Sequence, residues 1–216
     1  RSSDLAREQL AVPLHDTILR AITAADYETI AEREVPELQN ASADLLWNGS
    51  WYEAHVALDP RGTTELDERT RCRAEAALEQ ARRIGHDVHV GPARMVPLRL
   101  ALHVCVEPRQ LRASVRTQVL AALGHGRLRD GTLGYFHPDR LSFGEPVLLS
   151  PIIARVAAVP GVAAVRVKRF ERLFEGSQGE LERGFMPLAR NEIARLDNDP
   201  VRPEHGILDV EVEGGR

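Results

Sequence analysis

The chain has 216 residues, of which 43% are hydrophobic and 28% charged, an ordinary balance for a globular protein with a buried core. Its formal net charge is -4, so the molecule as a whole has no positive field that would attract nucleic acid. No run approaches the roughly 18 apolar residues of a membrane-spanning helix, and Cys72 and Cys105 lack the spacing of a disulfide framework. These features argue against membrane insertion and nucleic-acid binding, and they favour a reducing compartment, the cytoplasm.

The N-terminal segment precedes the first firm element. Because the chain begins at Arg1 without a methionine, we expect residues 1–21 to be a linker or the end of an upstream domain. A helix is then predicted to begin after Thr23, since Thr23 and Asp26 have the spacing of a capping box. In that motif each side chain accepts a hydrogen bond from the backbone of the other residue.

Two strands and a second helix follow. Residues 40–47 and 52–59 are predicted strands joined at Asn48 and Gly49, a dipeptide suited to a tight hairpin turn, with Trp47 and Trp51 on either side. Residues 65–84 have apolar positions at helical spacing and stop before Gly85, and a short strand is predicted over 86–90. This order predicts a first α+β domain over residues 22–92, with two helices on one face of a mainly antiparallel sheet in a split β-α-β, ferredoxin-like arrangement.

Turn residues over 91–97 separate this domain from a second one, predicted over residues 93–216. Residues 98–106 alternate strictly between apolar and other side chains, as a half-buried strand does. Helices are predicted over 110–123 and from Ser150 and Pro151 onward, and further strands over 162–170, 192–196 and 206–214. The second domain is therefore also α+β, with two helices on a mainly antiparallel sheet.

The histidines do not predict a metal site. His86 and His89 lie three apart on the predicted strand over 86–90 and so should point to opposite faces of the sheet. His103 and Cys105 share a face, but no third ligand stands at a recognisable spacing. We therefore expect no metal ion.

Other motifs also have structural interpretations. Asp197 and Asp199 in "RLDNDP" match the start of a calcium loop but lack its glycine and closing glutamate, so a turn is favoured. The basic run over 166–172 alternates with apolar residues, as a strand with one solvated face does. The chain has no nucleophile elbow, P-loop or dinucleotide fingerprint. We expect no cofactor and no catalytic residues.

The segment over 131–147, which we call the aromatic loop, is unusual. It contains Tyr135, Phe136 and Phe143 among glycines and prolines, although aromatic residues make up only 5% of the chain. These rings could plug the core, or they could serve as rigid anchors for another chain, and physical reasoning leaves both possibilities open. A third possibility is a small α+β enzyme or ligand-binding domain with a cleft near this loop, using His137 and Asp139 as polar groups.

Several ordered motifs resemble one family. The stretches "DGTLGYFHPDRLSFGEPVLLSPIIARVAAVPGV", "RFER" and "MPLARNEIARLDNDP" resemble the C-terminal part of J-like baseplate assembly proteins of contractile phage tails and contractile injection systems. Upstream, "ITAADYETIAER" and "WNGSWYEAHVALDPRG" are similar to the same family, so the resemblance runs from about Ile22 to the end of the chain. Tyr135 and Glu145 depart mildly from the family's "GFFHPD…FGQP" pattern, in which we expect Phe and Gln.

The resemblance implies a structural protein of the baseplate wedge. Copies would form a six-fold ring that links the hub, the sheath and the peripheral parts of a phage tail-like particle, assembled in the cytoplasm. The implied partners are other wedge subunits of the same or a related J-like protein, together with hub and sheath-proximal proteins. Family members are much longer than this chain, and no catalytic residue is carried over. The candidate interface or loop-signature residues are Trp47, Trp51, Tyr135, Phe136, His137, Pro138, Arg140, Phe143, Arg195, Asp197 and Asp199.

Overall fold

The structure, a computed structural model, describes residues 20–128 and 130–216. The linker predicted over 1–21 therefore lies outside the described residues, except for its last two positions. Of these, Ala21 is fully buried, and its amide donates a 2.8 Å hydrogen bond to the carbonyl oxygen of Ala81. Ala21 is thus already part of the first folded unit.

The first unit contains two helices and three strands. Its helix α1 begins as the capping box predicts, because Thr23 Oγ1 accepts from the Asp26 amide at 3.3 Å and the Asp26 carboxylate accepts from the Thr23 amide at 2.8 Å. The elements in chain order are α1 (Ala24–Glu34), β1 (Leu38–Trp47), β2 (Tyr52–Pro60), α2 (Glu68–Ala81) and β3 (His86–Pro92).

The sheet of this unit has the order β1-β2-β3. The β1–β2 pair is an antiparallel hairpin, whereas β2 and β3 are parallel neighbours. The α+β class is confirmed, but the sheet is mixed and the β-α-β unit is not split. The reason is that α2 carries the chain back across the sheet, so that β3 starts at the same end as β2 and pairs directly with it.

Helices α1 and α2 cover one face of this sheet. The core between them is made of alternate strand residues, including Ala54, Val56 and Leu58, and of helix residues such as Tyr27 and Leu78. The opposite face, which we call the open face, carries the intervening residues of the three strands. This alternation decides which side chains of the first unit face away from its helices.

Helix α2 is shorter than the predicted 65–84. It ends at Ala81, because Arg82 adopts an extended conformation (φ -59, ψ 148) and forms a bridge with Ala21. Ile84 is consequently 89% exposed, and Gly85 takes a positive φ of 88° in the turn before β3. The contact that ends the helix comes from a distant part of the chain, which helical periodicity does not reveal.

The second unit begins directly after the first. Strand β4 starts at Arg94, earlier than predicted, so Ala93 alone separates it from β3. The elements in chain order are β4 (Arg94–Val106), α3 (Arg112–Leu123), β5 (Val147–Leu148), α4 (Leu149–Ala157), β6 (Val162–Arg172), α5 (Glu180–Arg183), β7 (Phe185–Met186), β8 (Glu192–Arg195) and β9 (Ile207–Gly214).

Strand β4 is the centre of the second sheet. Strand β6 pairs with it antiparallel on one side, and β8 and β9 pair with it in parallel on the other. This sheet is also mixed, because the chain returns to β4 through connections that contain helices or long turns. Alternate β4 residues, such as Leu98, Leu100 and Leu102, pack against Val119 of α3 and Ile152 of α4, as the strict alternation predicts. No helix within the described residues has the length and apolar character needed to cross a membrane.

Candidate interface regions

The aromatic loop is fastened to the end of helix α3. The amides of Tyr135 and Phe136 donate to the carbonyl oxygens of Ala122 and Leu123 at 2.9 and 3.1 Å. These carbonyls belong to the last turn of α3, where the helix itself supplies no donor. A Cβ atom at Gly134 would collide with the backbone of the residue after α3. Glycine at this position therefore permits the close approach of loop and helix.

Phe136 is a core residue. It is 2% exposed and belongs to the hydrophobic core of the second unit. Tyr135 packs edge-on against it, with ring centroids 5.0 Å apart, and is half-buried. The Arg140 guanidinium lies 5.6 Å from the centre of the Tyr135 ring, and Arg140 is itself exposed. For Phe136, the structure decides in favour of the plug, whereas Arg140 lies at the surface and Phe143 is half-buried.

The polar groups of the loop make contacts within the chain. His137 is buried, and its Nδ1 accepts a 3.1 Å hydrogen bond from the Asp139 amide at the start of the short helical turn Pro138–Arg140. The Asp139 carboxylate accepts a 2.6 Å hydrogen bond from the amide of Gly62 in the first unit. The two groups considered for a ligand cleft are thus used to shape the loop and to hold it against the first unit.

The loop also bonds to strand β1. The Gln39 side-chain amide donates to the Leu141 carbonyl at 3.1 Å, and the Asn40 amide donates to Ser142 Oγ at 3.2 Å. Close by, Ser42 Oγ donates a 3.0 Å hydrogen bond to the carbonyl oxygen of Arg190, just before β8. The aromatic loop is therefore part of the junction between the two units.

A buried carboxyl group lies at this junction. Asp59, at the end of β2, is 3% exposed, and among the described residues its Oδ2 has no hydrogen-bond partner. Burial, and secondarily the nearby charge of Asp139, raise the pKa of Asp59 to about 7. Near neutral pH this carboxyl group is therefore partly protonated, which lowers the cost of burying it.

The tip of the first hairpin is a second aromatic region, and it is exposed. We call Leu46, Trp47, Trp51 and Tyr52 the hairpin end; their exposed fractions are 53%, 58%, 47% and 47%. Asn48 shapes the turn by accepting from the Ser50 and Trp51 amides at 2.9 and 3.0 Å. Trp47 and Tyr52 pack edge-to-face with centroids 5.1 Å apart. Large aromatic surface is thus held in a fixed shape at the surface.

The "RLDNDP" segment forms the turn after β8. Arg195 Nε donates to the Asp197 carboxylate at 2.8 Å, and His205 Nδ1 lies 3.3 Å from the same carboxylate. Asp199 accepts from the Val201 amide at 2.9 Å, the contact of an Asx turn. The carboxylates are engaged in shaping this turn.

The structure brings together two groups of side chains that could bind a metal ion, and the sequence did not reveal either group. As predicted, His86 and His89 point to opposite faces, and His86 Nδ1 lies 3.0 Å from the Tyr27 hydroxyl inside the first unit. His89, however, stands beside His55 and Glu53 of the adjacent strand. His103 and Cys105 lie beside a third possible ligand, Glu213 of β9. Alternating E-x-H and H-x-C patterns were the available sequence signals, but the third residue depends on strand pairing.

Comparison with known proteins relates the chain to baseplate proteins in two ways. Residues 19–91 match the family model described as the Baseplate J-like central domain. No curated protein matches the chain in sequence. A chain in the "Cryo-EM structure of the anti-feeding prophage (AFP) baseplate, 6-fold symmetrised" has a similar fold, with a TM-score of 0.57 and 17% sequence identity. The alignment covers 90% of this chain and 41% of that one, so this chain spans less than half of its length. Together these matches support the resemblance seen in the sequence: residues 19–91 match the Baseplate J-like central domain, and the chain shares its fold with a baseplate protein of a contractile injection system.

Proposed function

We propose that this chain is a structural component of a contractile-tail baseplate wedge. Its copies are arranged with six-fold symmetry around a central hub and are joined to one another and to hub and sheath-proximal proteins. The observation that carries the proposal is the Baseplate J-like central domain over residues 19–91. The fold shared with a chain of a six-fold symmetrised baseplate supports it. On this proposal the particle is assembled in the cytoplasm, without membrane insertion or nucleic-acid binding.

The hairpin end is the proposed contact with a neighbouring baseplate subunit. Trp47 and Trp51 are 58% and 47% exposed, and tryptophan is enriched at the energetic centres of protein interfaces. The edge-to-face packing of Trp47 on Tyr52 holds part of this surface in place before binding, which reduces the entropy lost on association. Arg140, exposed on the tip of the aromatic loop, is a second proposed contact.

A scaffold explains the aromatic loop better than an enzyme does. The enzyme or ligand-binding alternative needs His137 and Asp139 to converge on a bound molecule. Both side chains instead accept hydrogen bonds from backbone amides of the chain, one of them across the junction between the units. We therefore propose a non-catalytic role in which the loop fixes the two units to each other.

The decisive experiment is to substitute both tryptophans of this chain, Trp47 and Trp51, in cells that produce the particle. We expect Trp47→Ala together with Trp51→Ala to leave the isolated chain folded but to abolish complete baseplates, as observed by electron microscopy of purified particles. The matched control is Phe174→Ala, which removes another aromatic ring, 73% exposed, from the second unit. Normal particles from the double variant would contradict the hairpin contact. Absence of the unmodified chain from purified particles would contradict the structural role itself.

A further inference from the structure

The open face of the first sheet concentrates carboxylates and histidines. In the strand register, Asp44 pairs with His55 and His55 with His89, while Glu53 pairs with Asp87 in the adjacent row. These positions alternate with buried core residues, so their side chains share the face that the helices leave uncovered. The three strands, 38–47, 52–60 and 86–92, contain neither arginine nor lysine. The face therefore attracts cations.

Three of these side chains converge on one point. Glu53 Oε2 lies 3.1 Å from His55 Nε2 and 3.9 Å from His89 Nε2. The three ligand atoms all lie within 4.8 Å of one another. Around a tetrahedral zinc ion, with bonds of about 2.0–2.1 Å, neighbouring ligand atoms are about 3.3 Å apart. The observed separations fall on both sides of that value, so small rotations of the side chains suffice to bind an ion.

The surroundings orient these ligands without blocking them. The Asn48 side-chain amide donates to the other oxygen of Glu53 at 2.7 Å, and hydrogen bonds from Asn48 and His55 lower the pKa of Glu53. Such supporting contacts fix the direction of a ligating carboxylate. His55 and His89 line an open cleft of about 250 Å³, together with Asp44, so an ion can enter from solvent.

The other group of possible ligands is less suited to a cation. His103, Cys105 and Glu213 also converge on the second sheet, but the strand partner of His103 is Arg166. On the same face the ammonium of Lys168 lies 2.6 Å from the Glu211 carboxylate. Positive charge beside the site opposes the binding of a divalent ion. The three strands of the first sheet, in contrast, contribute no arginine or lysine to the open face.

We propose that Glu53, His55 and His89 form a binding site for Zn²⁺ or a similar first-row transition metal ion. Two imidazoles and one carboxylate are ligands that zinc accepts, and three protein ligands leave a fourth position for water. Magnesium and calcium prefer oxygen ligands throughout and are not expected to bind here. The proposal does not rest on the proposed baseplate contacts, although Glu53 pairs in the strand register with Leu46 of the hairpin end.

The test is a calorimetric titration of Zn²⁺ into the full 216-residue chain, stripped of metal by a chelator and carrying no polyhistidine tag. One ion should bind per chain at this site, and His55→Gln or His89→Gln should each weaken the affinity by about tenfold or more. His103→Gln is the matched control and should leave the affinity unchanged.

Both histidines of the site are exposed, so their variants should keep the parent's circular dichroism spectrum. Replacement of zinc by Co²⁺ should give the visible absorption of a four-coordinate ion, and His89→Gln should remove it. No binding of Zn²⁺ to the unmodified chain, or equal binding to the His55→Gln and His89→Gln variants, would overturn the proposal.

Discussion

The aromatic loop and the hairpin end are alike in sequence and opposite in structure. Both place aromatic rings beside glycine and other turn residues, yet Phe136 is 2% exposed and Trp47 is 58% exposed. The loop is drawn inward because its amides satisfy the last carbonyls of α3, which brings Phe136 over the core. At the hairpin end, Trp47 and Trp51 do not belong to the hydrophobic core of the first unit. Burial of an aromatic ring thus depends on whether a neighbouring element reaches it, which composition does not show.

The largest effect expected from this comparison is at Phe136. Phe136→Ala removes a buried ring from the core of the second unit and should reduce the free energy of unfolding by about 3–5 kcal/mol. Urea or guanidinium unfolding of the purified chain measures this loss. A loss below about 1 kcal/mol would mean that the ring is not a core plug, and the contrast between the two regions would fail.

The next effect concerns the buried carboxyl at the junction that the loop helps to form. The pKa of Asp59 is about 7 in the folded chain and lies near 3.9 in an unfolded one, so the unfolded state releases this proton more readily. The contribution of Asp59 to stability is therefore most favourable below about pH 4 and is lost as the pH rises to about 7. Asp59→Asn should make the chain more stable than the parent at pH 8, by on the order of 2 kcal/mol, and change little near pH 4.

Unfolding by urea at the two pH values tests this expectation. Asp209→Asn, which neutralises an exposed carboxylate of β9, is the matched control and should leave the pH dependence of unfolding as it is in the parent. If Asp59→Asn and the parent lose stability equally between pH 4 and pH 8, the junction carboxyl is not the cause.

A smaller effect tests whether the loop fastens the two units together. Asn40→Ala removes the hydrogen bond to Ser142 and should reduce the free energy of unfolding by about 0.5–1.5 kcal/mol. Ser142→Ala should cost a similar amount, and the double variant should cost less than the two single losses added together. A double-mutant cycle measured by denaturant unfolding gives this coupling. Strict additivity would show that the two side chains do not interact.

The smallest effect is expected at the hairpin end. Trp51→Ala should change the free energy of unfolding by no more than about 0.5 kcal/mol, because the ring is 47% exposed and outside the core. The same denaturant unfolding experiment measures it beside Phe136→Ala. A loss above about 2 kcal/mol would place the hairpin end in the fold itself, and the region would no longer be available as a surface for a partner.

The sequence by itself determined the local structure of this protein. Thr23 and Asp26 predicted the start of α1, the alternation over 98–106 predicted the buried face of β4, and Asn48 and Gly49 predicted the hairpin. Each of these depends on residues a few positions apart, where capping, periodicity and turn geometry act. The family resemblance was also visible, because several motifs stand in order along the chain.

Only the tertiary structure decided which distant residues meet. The parallel pairing of β2 with β3 puts His89 beside His55, and the junction brings the Asp139 carboxylate to the Gly62 amide, 77 residues away. The same packing ended α2 three residues early and turned Phe136 inward. Strand register and the docking of units arise from burial and hydrogen bonding over the whole chain, so no local pattern encodes them.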